Sequence, residues 1–396
     1  MSERTTPKAW RGPAPAWVAG STRILFDCRY TRLERHDGIS RYGERLVGQI
    51  AKRHPVVMLI SDERQLAMLP DLPWTLGPSP TSALEPLIAT RAINRLQPDV
   101  VFTPMQTMGA FGRRYPLVST VHDLIYYSHP TPPRDLPAAV RAIWRVYHLT
   151  YAFQRFVLGR ASAHATISQT TRDLMVANRM TRHPIRVIQN GVDHPIVPPR
   201  RSAPPMVDGR HEVLYMGSFM PYKNVETLAL AMRDLPNWRL RILSRAPEAE
   251  QARLLEAAGE AADSIAFLGG VTDAEYADAL VRARVLASAS RDEGFGLPVV
   301  EAMAAGTPVA ISDIPIFREI AGANAEYFDP DSPSDAARAI RSYEDDAAWV
   351  DHSQGAVERA AAFDWSTAGE QLLEFLLETA RLHPNAAPQR PARPVA

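Results

Sequence analysis

Two series of short β-branched runs, separated by a proline-rich break, limit what this chain can fold into. The first series is Ile24–Phe26, Val56–Ile60, Val100–Phe102, Leu117–Val121, Ala165–Ser168 and Arg186–Ile188. The second is Val213–Met216, Leu240–Leu243, Ile265–Leu268, Val285–Ala289, Val309–Ser312 and Glu326–Phe328. Longer stretches with helical patterning lie between successive runs, which is how parallel βαβ units read. Each series is long enough for its own sheet, and the break from Pro195 to Pro205 is composed like a linker. The expected fold class is therefore α/β, with Rossmann-like doubly wound domains over 21–198 and 206–365. In such sheets ligands bind beyond the carboxyl ends of the strands, where strand order reverses, so two domains would face a central cleft.

The ends of the chain lack this pattern. Residues 1–20 and 384–396 are rich in Pro, Ala and Arg and predict disordered tails. With 396 residues the remainder is ample for two domains. Lys plus Arg equals Asp plus Glu at 44 each, so no basic excess points to nucleic acid. The balance is uneven along the chain: residues 1–200 hold 26 cations and 14 acids, and residues 201–396 hold 18 and 30. A basic first half fits an anionic membrane surface or acceptor, while attraction between the halves explains it equally. The single cysteine, Cys28, rules out an intramolecular disulfide, and no Cys/His pair has zinc-ligand spacing. The first twenty residues lack a signal-peptide apolar core, and nowhere do 18 apolar residues run together. These features predict a cytoplasmic protein, at most peripheral at the inner face of the membrane.

The densest chemistry lies in residues 290–309, SRDEGFGLPVVEAMAAGTPV. It reads as a strand end, a Gly-rich loop, a helix with Pro298 at its first position, and Gly306 just past its last turn. The N–H groups of Phe295, Gly296 and Leu297 would point at the helix entrance, where an anion such as a diphosphate is favoured. Glu293 in the loop and Glu301 in the first helical turn would accept hydrogen bonds from sugar and ribose hydroxyls. The alternative is a pair of solvated acids near a helix start. Lys223, one of three lysines in the chain, follows the first strand of the second series and precedes a helical pattern. A fixed cation there would stabilise a departing diphosphate, and the alternative is a surface lysine. His122 follows a first-series strand, which would put an imidazole near the strand ends facing the cleft, and the alternative is a structural histidine bonded to a neighbouring loop. Gly38 either lets the backbone approach a phosphate or forms a turn before a helix starting near Ser40.

Three further patterns weigh against or beside this reading. Asp329-Pro-Asp331 has a metal-binding D-x-D form, but its place before the helical pattern from Ser334 predicts a turn with a helix cap. No convincing metal ligand set exists. The chain has no G-x-S-x-G elbow, Walker sequence or G-x-G-x-x-G after its first strand, which argues against hydrolase, ATPase and dehydrogenase chemistry. Residues 134–160 hold five arginines, interleaved aromatics and one acid, Asp135. They read as a basic helix that either lies on an anionic membrane or packs its aromatics into a core, the second being slightly favoured.

The run from Glu293 to Glu301 resembles the E-x7-E motif of the retaining glycosyltransferases of family 4, which have the GT-B fold. GSFMPYKNVETL (217–228), VIQNGVD (187–193), TISQTT (166–171), GISRY (38–42) and TVHDL (120–124) resemble other segments of that family, in the right order over residues 24–365. The resemblance implies a sugar transferred from a nucleotide-diphosphate sugar, a co-substrate needing no added cofactor, to a glycan or lipid-linked hydroxyl. It implies an acceptor-binding first domain, a donor-binding second domain, and a final helix over 366–383 crossing back to the first. It implies catalytic roles for His122, Glu293 and Lys223. Donor contacts would come from Gly38, Gly217, Ser218, Lys223, Arg245, Val271, Glu293, Gly294, Phe295, Gly296, Leu297 and Glu301. The wording is most like members that use GDP-mannose for cell-envelope polysaccharides or glycolipids, with UDP sugars as the alternative. Ser218 and Tyr222 stand where many members carry arginine, which leaves a noncatalytic nucleotide-binding protein of the same fold as another class of reading.

Overall fold

The computed structural model describes residues 15–34, 36–82, 85–132, 137–193, 203–207 and 209–383. The terminal stretches 1–14 and 384–396, and most of the expected linker, lie outside the described residues. The chain divides into two compact units. The first takes in the described residues of 1–124, 149–189 and 365–396, and the second those of 125–148 and 190–364.

The first unit carries a seven-stranded sheet: β1 (Ile24–Asp27), β2 (Val56–Ile60), β3 (Trp74–Leu76), β4 (Val100–Thr103), β5 (Leu117–Val121), β6 (Ala163–Thr166) and β7 (Ile185–Val187). All its pairings are parallel, in the order β3-β2-β1-β4-β5-β6-β7. The second unit carries a six-stranded parallel sheet: β8 (His211–Tyr215), β9 (Trp238–Ile242), β10 (Ile265–Phe267), β11 (Val285–Ser288), β12 (Val309–Ser312) and β13 (Glu326–Phe328). Its order is β10-β9-β8-β11-β12-β13. Central strands β1, β4, β5, β8 and β11 are almost wholly buried because helices cover both sheet faces, which is why they read as continuous apolar runs. Each order reverses once, between β1 and β4 and between β8 and β11. Loops leaving those strand pairs at their carboxyl ends are the places where a doubly wound sheet offers room to a ligand.

The structure alters four expectations. β3 was not legible in the sequence: three residues between Pro73 and Pro78 are too short for a periodicity, and the strand exists because it pairs with β2 at the sheet edge. Residues 15–20 are not all tail, since Trp17 packs against the Leu25, Val101 and Leu117 core and donates its indole N–H to the Leu96 carbonyl at 3.1 Å. Ile125–His148 goes with the second unit rather than with residues 21–198. The reason is local packing, His129 lying 6.0 Å from the Tyr222 ring and 3.8 Å from the Asp292 carboxylate. Finally, residues 134–160 do not form one helix. Arg134 and Asp135 lie outside the described residues, and the rest forms two helices, Ala138–His148 and Ala152–Leu158, in different units.

The helix Trp365–Leu382 belongs to the first unit. Arg53 donates to Ser366 at 2.7 Å, and Arg186 bridges to Glu374 and Glu378. Its buried Leu372, Phe375 and Leu376 recur at helical spacing, so the face turned to the unit is set by the sequence itself.

Candidate functional site

The reversal between β8 and β11 gathers the most chemistry. Tyr215 closes β8, and its hydroxyl donates to the Ser218 carbonyl at 2.6 Å. A side chain at Gly217 would sit 2.7 Å from that phenolic oxygen, so only glycine lets the tyrosine fold under the loop. The Gly217 N–H donates to Ser244 Oγ at 2.9 Å, tying the loop to the end of β9. Burial, then the charges of Glu293 and Tyr222, push the Tyr215 phenol well up, so it stays a neutral donor.

Lys223 ends the single 3-10 turn Pro221–Lys223. Asn224 follows in the left-handed region at φ +51°, a conformation asparagine tolerates better than most residues, and its amide donates to the Pro330 carbonyl at 2.6 Å. That bond stops the turn from continuing and aims Lys223 at the loop after β11. There Lys223 Nζ lies 2.5 Å from Glu293 Oε1, with the two side chains only 17% and 12% exposed. Ser290 donates its hydroxyl to the same Glu293 oxygen at 2.9 Å. The Arg291 N–H donates to the Tyr222 carbonyl at 2.7 Å, so backbone as well as side chains lock the two loops together.

Past Glu293 the loop turns into the helix Leu297–Ala304. Pro298 is its second residue, not its first, because Gly296 caps it from the left-handed region at φ +94°. A side chain at Gly296 would also come within 2.8 Å of the Phe317 ring. The backbone N–H groups of Phe295, Gly296 and Leu297 have no hydrogen-bond acceptor among the described residues. Unpaired donors at a helix entrance are where an anion is best accommodated. Phe295 is buried edge-on against Phe363 at 5.6 Å, and Gly294 is buried beside it.

The remaining donor candidates are less tightly gathered. Glu301 lies one residue beyond the first helical turn rather than within it, and accepts from the Tyr276 hydroxyl at 2.9 Å. Arg245, after β9, is exposed and donates to the Gly269 carbonyl at 3.2 Å, with no ion pair to Glu293. Val271 is half-buried just before Thr272, which caps the helix Asp273–Arg282 together with Glu275. Asp329 takes the Asp331 N–H in a turn, Asp331 pairs with Arg291, and Ser332 caps the helix Pro333–Arg341, so the D-x-D carboxylates have structural work.

The first unit offers a second group of residues at the β1/β4 reversal and the neighbouring end of β5. His122 follows β5, and its Nε2 lies 2.7 Å from the Pro104 carbonyl. A carbonyl only accepts, so Nε2 carries the proton and Nδ1 keeps its lone pair in the neutral ring. Burial lowers the His122 pKa, against the Pro104 bond and the Asp123 and Asp37 charges that favour the imidazolium. The structural role weighed for His122 is thus present. Gly38 is exposed and is the first residue of the helix Gly38–Ala51, which starts two residues before Ser40 because Asp37 caps it through the Ser40 N–H at 2.9 Å. Beneath this rim Arg29 is fully buried between Asp27 and Glu85 at 2.8 and 3.1 Å, and Thr103 donates to Asp27 at 3.0 Å.

Sequence reasoning missed Ser290, Tyr276, Asn224 and the Arg29 cluster. Ser290 and Asn224 lie inside motifs whose wording carries no hint of what their side chains touch. Tyr276 has no local signal at all.

Two doubly wound parallel sheets, one with a cation, a carboxylate and a helix entrance at its reversal, define a protein with tandem Rossmann-like domains. Residues 36–194 match the family described as Glycosyltransferase Family 4, and residues 200–362 match Glycosyl transferases group 1. The chain belongs to the glycosyltransferases that carry these two domains in tandem. It is 39% identical over 124 residues to the serotype-specific mannosyltransferase WbdA of Escherichia coli, a match covering 31% of this chain and 14% of that one. It is 29% identical over 255 residues to the GDP-mannose:cellobiosyl-diphosphopolyprenol alpha-mannosyltransferase of Xanthomonas oryzae pv. oryzae, covering 56% and 66%. Sucrose-phosphate synthase from Thermosynechococcus elongatus shares the fold, with a TM-score of 0.67 at 19% identity over 91% of this chain and all of that one.

Proposed function

We propose that the protein transfers mannose from GDP-mannose to a hydroxyl of a glycan or lipid-linked acceptor in cell-envelope synthesis, with retention of anomeric configuration. The observation that carries the reading is Lys223 beside Glu293 at the β8/β11 reversal, next to unpaired N–H groups at a helix entrance. The mannosyltransferase names of the relatives support the donor. Lys223 and the amides of Phe295, Gly296 and Leu297 take the diphosphate, Glu293 takes sugar hydroxyls, and Glu301 takes the ribose. The bond from the anomeric carbon to the phosphate oxygen breaks as the acceptor oxygen bonds to that carbon. The acceptor proton leaves with the diphosphate, whose growing charge Lys223 stabilises more strongly in the transition state than in the ground state. The first unit takes the acceptor, and His122 serves the reacting centre through its carbonyl or Nδ1. In this reading no cofactor or metal beyond the nucleotide sugar takes part.

A thermal-shift panel of GDP, UDP, ADP, GDP-mannose and UDP-glucose tests the donor. A ligand at about 100 times its dissociation constant stabilises the native state by ~2.7 kcal/mol, enough to raise the melting temperature visibly. GDP-mannose is expected to give the largest shift. A shift with UDP-glucose alone would replace the donor assignment, and no shift with any nucleotide would overturn the reading.

An anionic membrane is the partner that best fits the basic first unit. Phe153 and Phe156 are 53% and 55% exposed, contrary to the expectation that the aromatics of this stretch are core. Trp144 and Tyr147 do turn into a cluster with His148, at 3.9 and 4.6 Å. The Arg160 guanidinium is held 4.0 Å from the Phe111 ring and 4.3 Å from Phe156, and Phe111 is 63% exposed. Aromatic rings interleaved with arginine suit the lipid headgroup boundary, and no helix among the described residues is long and apolar enough to cross a bilayer. Sedimentation with phosphatidylglycerol vesicles is expected at low salt, falling as salt rises and falling further in Phe153→Ser/Phe156→Ser. Binding indifferent to both would remove the membrane from the reading.

A further inference from the structure

The cation and the carboxylate assigned to the donor hold each other. Glu293 Oε1 takes both the Lys223 ammonium at 2.5 Å and the Ser290 hydroxyl at 2.9 Å, while Oε2 has no partner among the described residues. Ser290 is buried, and its hydroxyl also lies 3.2 Å from that of Ser288. A molecule bearing only a diphosphate therefore competes with Glu293 for Lys223, either sharing the three ammonium donors or drawing them away. Drawing them away leaves a mostly buried carboxylate with one hydroxyl donor, close to the ligand's negative charge. A nucleotide sugar draws the same lysine to its phosphates, but its sugar hydroxyls donate to Glu293 and take the place of the ammonium.

We propose that the Lys223–Glu293 pair makes the site discriminate between the nucleoside diphosphate sugar and the nucleoside diphosphate left after transfer, so that Glu293 opposes retention of the product. The inference rests on the donor reading above. Glu293 then has two effects of opposite sign: it favours the sugar-bearing ligand through hydroxyl bonds, and it disfavours the bare diphosphate by competing for Lys223. A carboxylate that served only as a sugar contact would show the first effect and not the second. Once the sugar has gone, the ammonium can return to Glu293, and this return drives the product out.

Isothermal titration of GDP and GDP-mannose against the full chain tests the idea, with Glu293→Gln and Glu293→Ala as parallel variants checked for folding by circular dichroism. Both variants are expected to bind GDP about tenfold more tightly than the parent, the order of effect of freeing one charge-assisted bond, and to bind GDP-mannose more weakly. In a Lys223→Met background the same Glu293 substitutions are expected to give no gain in GDP affinity, because the cation they release is gone. GDP affinity unchanged or reduced in both Glu293 variants overturns the proposal, as does a gain that persists without Lys223. If the parent binds neither GDP nor GDP-mannose, and neither UDP nor UDP-glucose, the donor reading itself has failed and this inference falls with it. Either Glu293 variant suffices if the other does not fold.

Discussion

Replacing Lys223 with methionine is expected to lower sugar transfer by about 10²–10³-fold, the loss usual when a group stabilising transition-state charge is removed. The loss should fall on kcat as well as on kcat/KM, because charge accumulates on the diphosphate as the glycosidic bond breaks. Among the described residues, the other cations near the β8/β11 reversal are engaged elsewhere. Arg291 pairs with Asp331, and Arg245 donates to the Gly269 carbonyl. Steady-state kinetics with GDP-mannose checks this, run beside a thermal melt because the variant leaves Glu293 partly buried without its cation. A variant that changes only KM would place Lys223 in ground-state binding rather than in the chemical step.

The largest effect on stability is expected from Arg29→Leu, at about 3–5 kcal/mol, the cost of removing one partner from a buried ion pair. Arg29 gives Asp27 two bonds, at 2.8 and 3.0 Å, reaches Glu85 at 3.1 Å, and donates to the Pro78 carbonyl at 2.9 Å. Burial opposes its charge, yet Asp27 and Glu85 outweigh that and push its pKa up. Glu85 is itself pushed up by burial, in spite of Arg29. Without the guanidinium two buried carboxylates face each other, and protonation relieves them. The deficit relative to the parent should therefore be greatest near neutral pH and shrink as pH falls through the raised carboxylate range. Urea unfolding at pH 7 and pH 5 reads both terms; a deficit below about 1 kcal/mol at pH 7 would mean that water reaches the cluster on opening. Because Thr103 bonds Asp27 and the next carbonyl holds His122, the variant should also loosen the imidazole.

The central strands were legible because each is a short apolar run buried on both faces, a pattern that survives without knowing its neighbours. β3 was not, because an edge strand of three residues owes its existence to β2 rather than to its own sequence. At the site, Glu293, Lys223, Gly296 and the helix entrance could be named from residue type and spacing. Their mutual arrangement could not: Lys223 and Glu293 are 70 residues apart, and their contact depends on β8 lying beside β11. Trp17 and the exposed Phe153 and Phe156 escaped for the same reason, since residue type alone does not say which face of a segment is covered.

The sequence by itself determined that this chain forms two parallel sheets, where the strands other than β3 broadly run, and which loops carry charge and glycine, because these follow from local periodicity and backbone preference. Only the tertiary structure decided that Ile125–His148 leaves the first unit, that Asn224 and Pro330 aim Lys223, and that Lys223 and Ser290 share one oxygen of Glu293. Those outcomes depend on strand order, and strand order is a global solution to burying every sheet face at once; no window of sequence contains it.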